Sequence, residues 1–204
     1  MERSSSSDDL AARLESKTVH YLARYSTTRH GLQAVLERFA RRKLADRPAE
    51  DIARAITTMV AKAVANRWVD DATWAEQQIA GLRRRGASRR AILARLKIKG
   101  IDPALAEYQL ARHDQSHDPA STGSTADTGS AEFGAALRHA RRRRLGPHAG
   151  PRDRQREGWQ QRHLASFARA GFSHQIARRI MALDTPEDAD TMLAGLDEDS
   201  GMPS

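Results

Sequence analysis

The chain has 204 residues, of which 39% are hydrophobic, 29% charged and 5% aromatic, with no cysteine and a net charge of +8. The lack of cysteine excludes a disulfide framework, a thiolate nucleophile and a Cys-ligated zinc site. No apolar run approaches the ~20 residues that span a bilayer, and the opening MERSSSSDDL has no signal-peptide core, so a soluble cytoplasmic protein is expected.

Composition dominated by Ala, Arg and Leu, without alternating β-branched runs, predicts an all-α fold. Residues 1–14 are rich in Ser and Asp and read as a disordered tail. Helical periodicity starts near Glu15, with Val19, Leu22 and Ala23 as its stripe, and residues 25–28 break it. Thr28 suits the N-cap of a second helix that turns Leu32, Val35, Leu36 and Phe39 inward. Pro48 opens a third, with Glu50 and Asp51 in its first turn and Ile52, Ile56, Met59, Val60 and Val64 as its stripe. Asp70-Asp71 caps the next helix, whose inward residues are Trp74, Ile79 and Leu82 and which stops at Gly86. Ser88 then caps a helix that buries Ile92, Leu93 and Leu96 and ends at Gly100. Asp102-Pro103 starts another, with Leu105 and Leu110 inward.

Residues 115–130, QSHDPASTGSTADTGS, read as a flexible linker. Beyond it Phe133, Leu137 and Ala140 mark a helix that breaks at Gly146-Pro147. One longer helix is expected from about Asp153 to Ala170, burying Trp159, Leu164 and Phe167, and after Gly171 a last one buries Ile176 and Ile180. A weak helix over 186–196 and an acidic tail close the chain.

These boundaries repeat. A shift of 60 lays Thr28-Arg29-His30-Gly31-Leu32 on Ser88-Arg89-Arg90-Ala91-Ile92, and a shift of 71 lays Gly100-Ile101 on Gly171-Phe172. Caps, stops and inward positions coincide, so the chain reads as three tandem three-helix repeats in an elongated, curved array. The expected divisions are a tail at 1–14, repeats at 15–67, 68–114 and 131–184, the linker at 115–130 and an acidic tail at 185–204.

No glycine-rich phosphate loop or nucleophile elbow is present, and no catalytic, metal or cofactor site is expected. His139, His148, His163 and His174 lack close ligand spacing and read as packing or surface residues. Trp68 and Trp74 flank a turn and read as core anchors.

The charge distribution is the remaining signal. Residues 184–204 carry −7 and residues 1–16 carry −2, so the +8 total leaves +17 on residues 17–183. Such a body attracts polyanions. From Gly81 to Gly100 there is no acid at all. Arg83, Arg84, Arg85, Arg89, Arg90, Lys97, Lys99 and Arg141, Arg142, Arg143, Arg144 are the candidate contact residues. Contacts of this kind bind phosphates without reading sequence.

Three segments together resemble the RecX family of regulatory proteins. YLARYSTTRHGLQAVLER at 21–38 is similar to its first repeat. Residues 68–110 are similar to its central repeat through Asp71, Trp74-Ala75, Arg83, Gly86, Ile92, Leu96 and Lys99-Gly100-Ile101. Residues 140–146 and LASFARAGFSHQIARRI at 164–180 are similar to its last. Tyr25 and Trp68-Val69 depart from the family pattern. The resemblance implies a monomeric, non-enzymatic modulator of the RecA recombinase in DNA repair and the SOS response. Such a protein lies along the RecA–single-stranded DNA filament and suppresses strand exchange, ATP hydrolysis and repressor cleavage. An independent helix-turn-helix DNA-binding protein is the alternative. Against it, the helix at 88–99 offers Arg and Lys but no Asn or Gln to read bases.

Overall fold

The computed structural model describes residues 2–116 and 128–198, with side chains placed over 7–115 and 129–196. Among the described residues the chain is all helical, without a strand. It divides into two units, the first made of Met1–Ala75 with Lys97–Asp102 and the second of Glu76–Leu96 with Pro103–Ser204.

The first unit is built on α1 (Glu2–Leu22), α2 (Arg29–Lys43) and α3 (Ala49–Ala65), with the start of α4 (Asp71–Arg84) and the end of α5 (Arg89–Ile98). Its core joins Leu10 and Leu14 of α1 to Leu32, Leu36 and Ala40 of α2 and Ile56, Met59, Val60 and Ala63 of α3. Each large apolar side chain so buried contributes ~1.5–3 kcal/mol.

Here the tail expected at 1–14 is corrected, because α1 begins at Glu2. Leu10, Leu14 and Thr18 recur every four residues and form its buried stripe, while Val19 is exposed and Ala23 lies beyond the helix. Thr18 is accommodated in this apolar stripe because its hydroxyl donates to the Leu14 carbonyl at 2.8 Å. In α3, Ala63 takes the inward place expected for Val64, which is exposed. Trp68 is also exposed rather than a core anchor.

The second unit holds the rest of α4 and α5 together with α6 (Pro103–Ser116), α7 (Thr128–Arg143), α8 (Pro151–Arg154), α9 (Trp159–Ala170), α10 (His174–Met181) and α11 (Pro186–Glu198). Its main core gathers Phe133, Ala136, Leu137 and Ala140 of α7 around Phe167, Phe172, Ala177 and Ile180. The single helix expected over 153–170 is two, because Gly158 takes a left-handed φ of 67° immediately before α9. The weak helix expected over 186–196 is α11, which runs to Glu198 within the acidic segment, and its Ala189 and Leu193 join the core. The linker expected at 115–130 shrinks at both ends, to α6 and α7; its residues 117–127 lie outside the described residues.

One joint occurs twice. In the first unit the N-cap hydroxyl of Thr28 accepts from Gly31 N–H at 2.9 Å and donates to the Lys99 carbonyl at 2.7 Å. The neighbouring Arg29 N–H donates to Asp71 Oδ1 at 2.7 Å, and Gly100, at φ 73°, packs directly on His30. In the second unit Ser88 accepts from Ala91 N–H at 3.2 Å and donates to the Ala170 carbonyl at 2.6 Å. The Arg89 N–H donates to Glu132 at 2.9 Å, and Gly171, at φ 97°, packs on Ser88 and Arg90. Each hydroxyl thus satisfies an orphan donor of one helix and an orphan acceptor of another, and each acid sits where the helix dipole favours it.

Candidate functional site

The basic candidates separate into buried, tethered and exposed groups. Arg83, in the last turn of α4, is only 5% exposed. Its Nε and Nη2 donate to the two oxygens of Asp114 at 3.0 and 2.6 Å, and its Nη1 donates to Glu132 at 2.6 Å and to the Ala87 carbonyl at 3.1 Å. Burial opposes the guanidinium charge, but the Asp114 and Glu132 carboxylates overcome it and hold the pKa above its ordinary value. Arg83 is therefore corrected from a contact candidate to a clamp. Asp114 lies near the end of α6 and Glu132 near the start of α7, so one side chain holds both ends of the 117–127 connection.

Two further candidates are tethered. Arg89 pairs with Glu107, and Arg90, although exposed, donates from Nη2 to the Ala168 carbonyl at 2.8 Å. Arg84 and Arg85 at the end of α4 are exposed, as are Lys97 and Lys99 around the end of α5. On α5 itself Arg90 and Lys97 are seven residues apart and share a flank, two turns along the helix. Ile98, beside Lys97, is 78% exposed. Arg141, Arg142, Arg143 and Arg144 are exposed and fan out around the end of α7. Arg141 faces Asp190 of α11 at 3.8 Å. Arg144 sits just past the helix at a left-handed φ of 55°.

The four histidines have separate structural places. His163 is buried, accepts the Gly146 N–H on Nδ1 at 3.0 Å and meets Asp153 Oδ2 through Nε2 at 2.7 Å. Both ring nitrogens are thus used, and the contact keeps the Asp153 carboxyl below its usual range. His148 is largely buried, and burial lowers its pKa against the pull of Asp190. His174 is exposed at the start of α10. His139 is buried against the rings of Phe167 and Phe172 at 5.8 and 5.4 Å, with no hydrogen-bond partner for Nε2 among the described residues. Burial, helped by Arg142 and Arg143, pushes its pKa down to about 4. Because the unfolded chain binds a proton near pH 6.5 that the folded chain refuses, this group costs stability as the pH falls from about 6.5 towards 4. Urea titrations at pH 7.5 and 5 should show that loss in the wild type and a smaller one in His139→Leu. An equal loss in both would remove His139 as the cause.

Among the described residues no group of three or more His, Cys, Asp or Glu is arranged to hold a metal ion. No described helix is long and apolar enough to cross a membrane.

No family model matches the sequence. Individual proteins do. The regulatory protein RecX of Myxococcus xanthus is 33% identical over 173 residues, which cover 82% of this chain and 83% of that protein. This chain belongs to the RecX family. The crystal structure of RecX from Lactobacillus salivarius has the same fold, with a TM-score of 0.56 over 90% of this chain and 99% of that one, at 17% identity. The RecX family name describes a regulatory protein, and the position of Arg83 within the RecX-like motif is explained here by burial, not by surface charge.

A second set of basic side chains lies outside the predicted candidates. Arg13, Lys17 and His20 lie on one side of α1, in the segment whose first part was read as tail. The spacing of four and three residues was the available signal.

Proposed function

We propose that this chain regulates the RecA recombinase by binding the RecA–single-stranded DNA filament and suppressing its ATP hydrolysis, strand exchange and repressor cleavage. Membership of the RecX family over most of the chain is the observation that carries this reading. The protein acts by occupancy rather than catalysis, as a monomer in the cytoplasm. Three tandem three-helix repeats span neighbouring protomers, and the doubled Thr28 and Ser88 joints support that arrangement, since each ties one sequence repeat to the next in the same way. The exposed cations Arg84, Arg85, Arg90, Lys97, Lys99 and Arg141–Arg144 supply the attraction to filament carboxylates and phosphates. Several weak contacts along one polymer sum to firm binding.

Co-sedimentation with pre-formed RecA filaments on long single-stranded DNA tests this. The wild type should pellet with filaments even when free competitor DNA is in excess. Arg84→Gln, Arg90→Gln and Lys97→Gln combined should weaken pelleting by roughly tenfold or more at 100 mM salt, as expected when several charge contacts are lost together. Unchanged pelleting of the triple variant would remove these residues from the contact, and pelleting abolished by competitor DNA would leave only DNA binding.

A further inference from the structure

The side of α1 that faces α2 carries a shallow groove of about 460 Å3 lined by Ala12, Arg13, Ser16, Lys17, His20 and Phe39. Three of the six are basic side chains and none is acidic. The helix sorts its charges to reach this state. Glu15 points away to Lys62 of α3 at 2.7 Å, and Asp9 pairs with Arg47 at 3.0 Å. Arg13 is held in place by its hydrogen bond to the Lys43 carbonyl at 3.1 Å. Lys17 makes no hydrogen bond or ion pair among the described residues, so its charge is unspent.

We infer that this groove binds single-stranded nucleic acid directly, with Arg13, Lys17 and His20 on consecutive phosphates and a base against Phe39. Arg13, Lys17 and the His20 ring are strung along ~10 Å of helix, the rise of seven residues. That spread tracks a chain of charges rather than a single anion. Phe39 is half-buried, packed on the core on one side and facing the groove on the other. A cationic groove with an aromatic floor is the arrangement that holds single strands without reading sequence. An acidic protein would use the cations but have no use for the ring.

Fluorescence anisotropy of the full chain with labelled oligo-dT, at several salt concentrations and without RecA, tests the groove. Its result is therefore independent of the filament reading. Lys17→Gln should weaken binding about five- to tenfold at 50 mM salt and reduce the log–log salt slope by ~0.7, the loss of one phosphate contact. Phe39→Leu keeps an apolar side chain on the core and should weaken binding roughly tenfold by loss of stacking. Arg152→Gln, on the exposed surface of α8, should bind as the wild type does. Lys17→Gln removes no hydrogen bond or ion pair among the described residues, so this variant reads binding even if Phe39→Leu perturbs the fold. The proposal is overturned if Lys17→Gln stays within twofold of the wild type. It is also overturned if a folded Phe39→Leu variant binds normally, or if Lys17→Gln weakens poly-glutamate binding as much as oligo-dT binding, which would mark a surface for acidic protein.

Discussion

Replacing Arg83 with alanine should destabilise the second unit by ~3–5 kcal/mol, the cost of leaving buried carboxylates without their partner. Asp114 and Glu132 have side-chain exposures of 6% and 12%, so water cannot replace the guanidinium cheaply. That loss is a large share of the ~5–15 kcal/mol by which a domain is ordinarily stable. Lysine should rescue little, because it cannot donate in parallel to both oxygens of Asp114 while reaching Glu132 and the Ala87 carbonyl. In a double-mutant cycle the Arg83→Ala and Asp114→Ala variants should be strongly coupled, since each leaves the other unpaired. Urea unfolding followed by circular dichroism measures both. A loss below ~1 kcal/mol, typical of an exposed pair, would show that the clamp is hydrated. Because Asp114 and Glu132 lie on opposite sides of the 117–127 connection, the same experiment asks what seats α7. The clamp predicts that the side chain of Arg83, rather than the connection, does so.

The second large effect is expected at Gly86. Its φ is 70°, and a Cβ there would lie 2.6 Å from the His139 nitrogen and 2.7 Å from the Ala135 carbonyl oxygen. Both are backbone atoms of α7, so no rotamer change relieves the clash, and α7 itself must shift. The left-handed backbone alone costs an L-residue ~1–2 kcal/mol. Displacing a packed helix adds a further overpacking cost of ~1–3 kcal/mol. Gly86→Ala should therefore lose ~2–5 kcal/mol. Gly158 supplies the control, with nearly the same φ of 67° and nothing nearer than the end of the Gln161 side chain at 3.5 Å. Gly158→Ala should show the backbone strain alone, ~1–2 kcal/mol. Equal losses at the two sites would mean that the approach of Gly86 to α7 carries no energy.

The glycine at 86 was legible in the sequence as a helix stop, but the reason no other residue fits was not, since it depends on a helix some fifty residues later. The same division runs through the whole chain. Thr28, Ser88, Ser173 and Asp70 act as caps where their types and spacings indicate, because capping is a local interaction completed within three residues. The shifts of 60 and 71 brought together Thr28 with Ser88 and Gly100 with Gly171, and these are the residues of the doubled joint. That its hydroxyls reach the carbonyls of Lys99 and Ala170 is a tertiary fact with no local trace. The first part of α1 reads as tail because only Leu10 and Leu14 mark its buried face in a stretch rich in Ser and Asp, and the stripe of its second part is displaced to Val19 because the buried residue there is the polar Thr18. Arg83 was misplaced because an arginine in the last turn of a helix already has a reason to be there, in the helix dipole. Its burial is decided by acids 31 and 49 residues away.

The central claim is most directly tested by the ATPase rate of RecA from the same organism on single-stranded DNA, titrated with this protein against free and pre-formed filaments. A filament regulator should inhibit at well below one molecule per RecA protomer, and the inhibition should be retained when single-stranded DNA is in excess. Absence of inhibition, or inhibition that excess DNA abolishes, would contradict that role and leave a protein that competes for DNA alone.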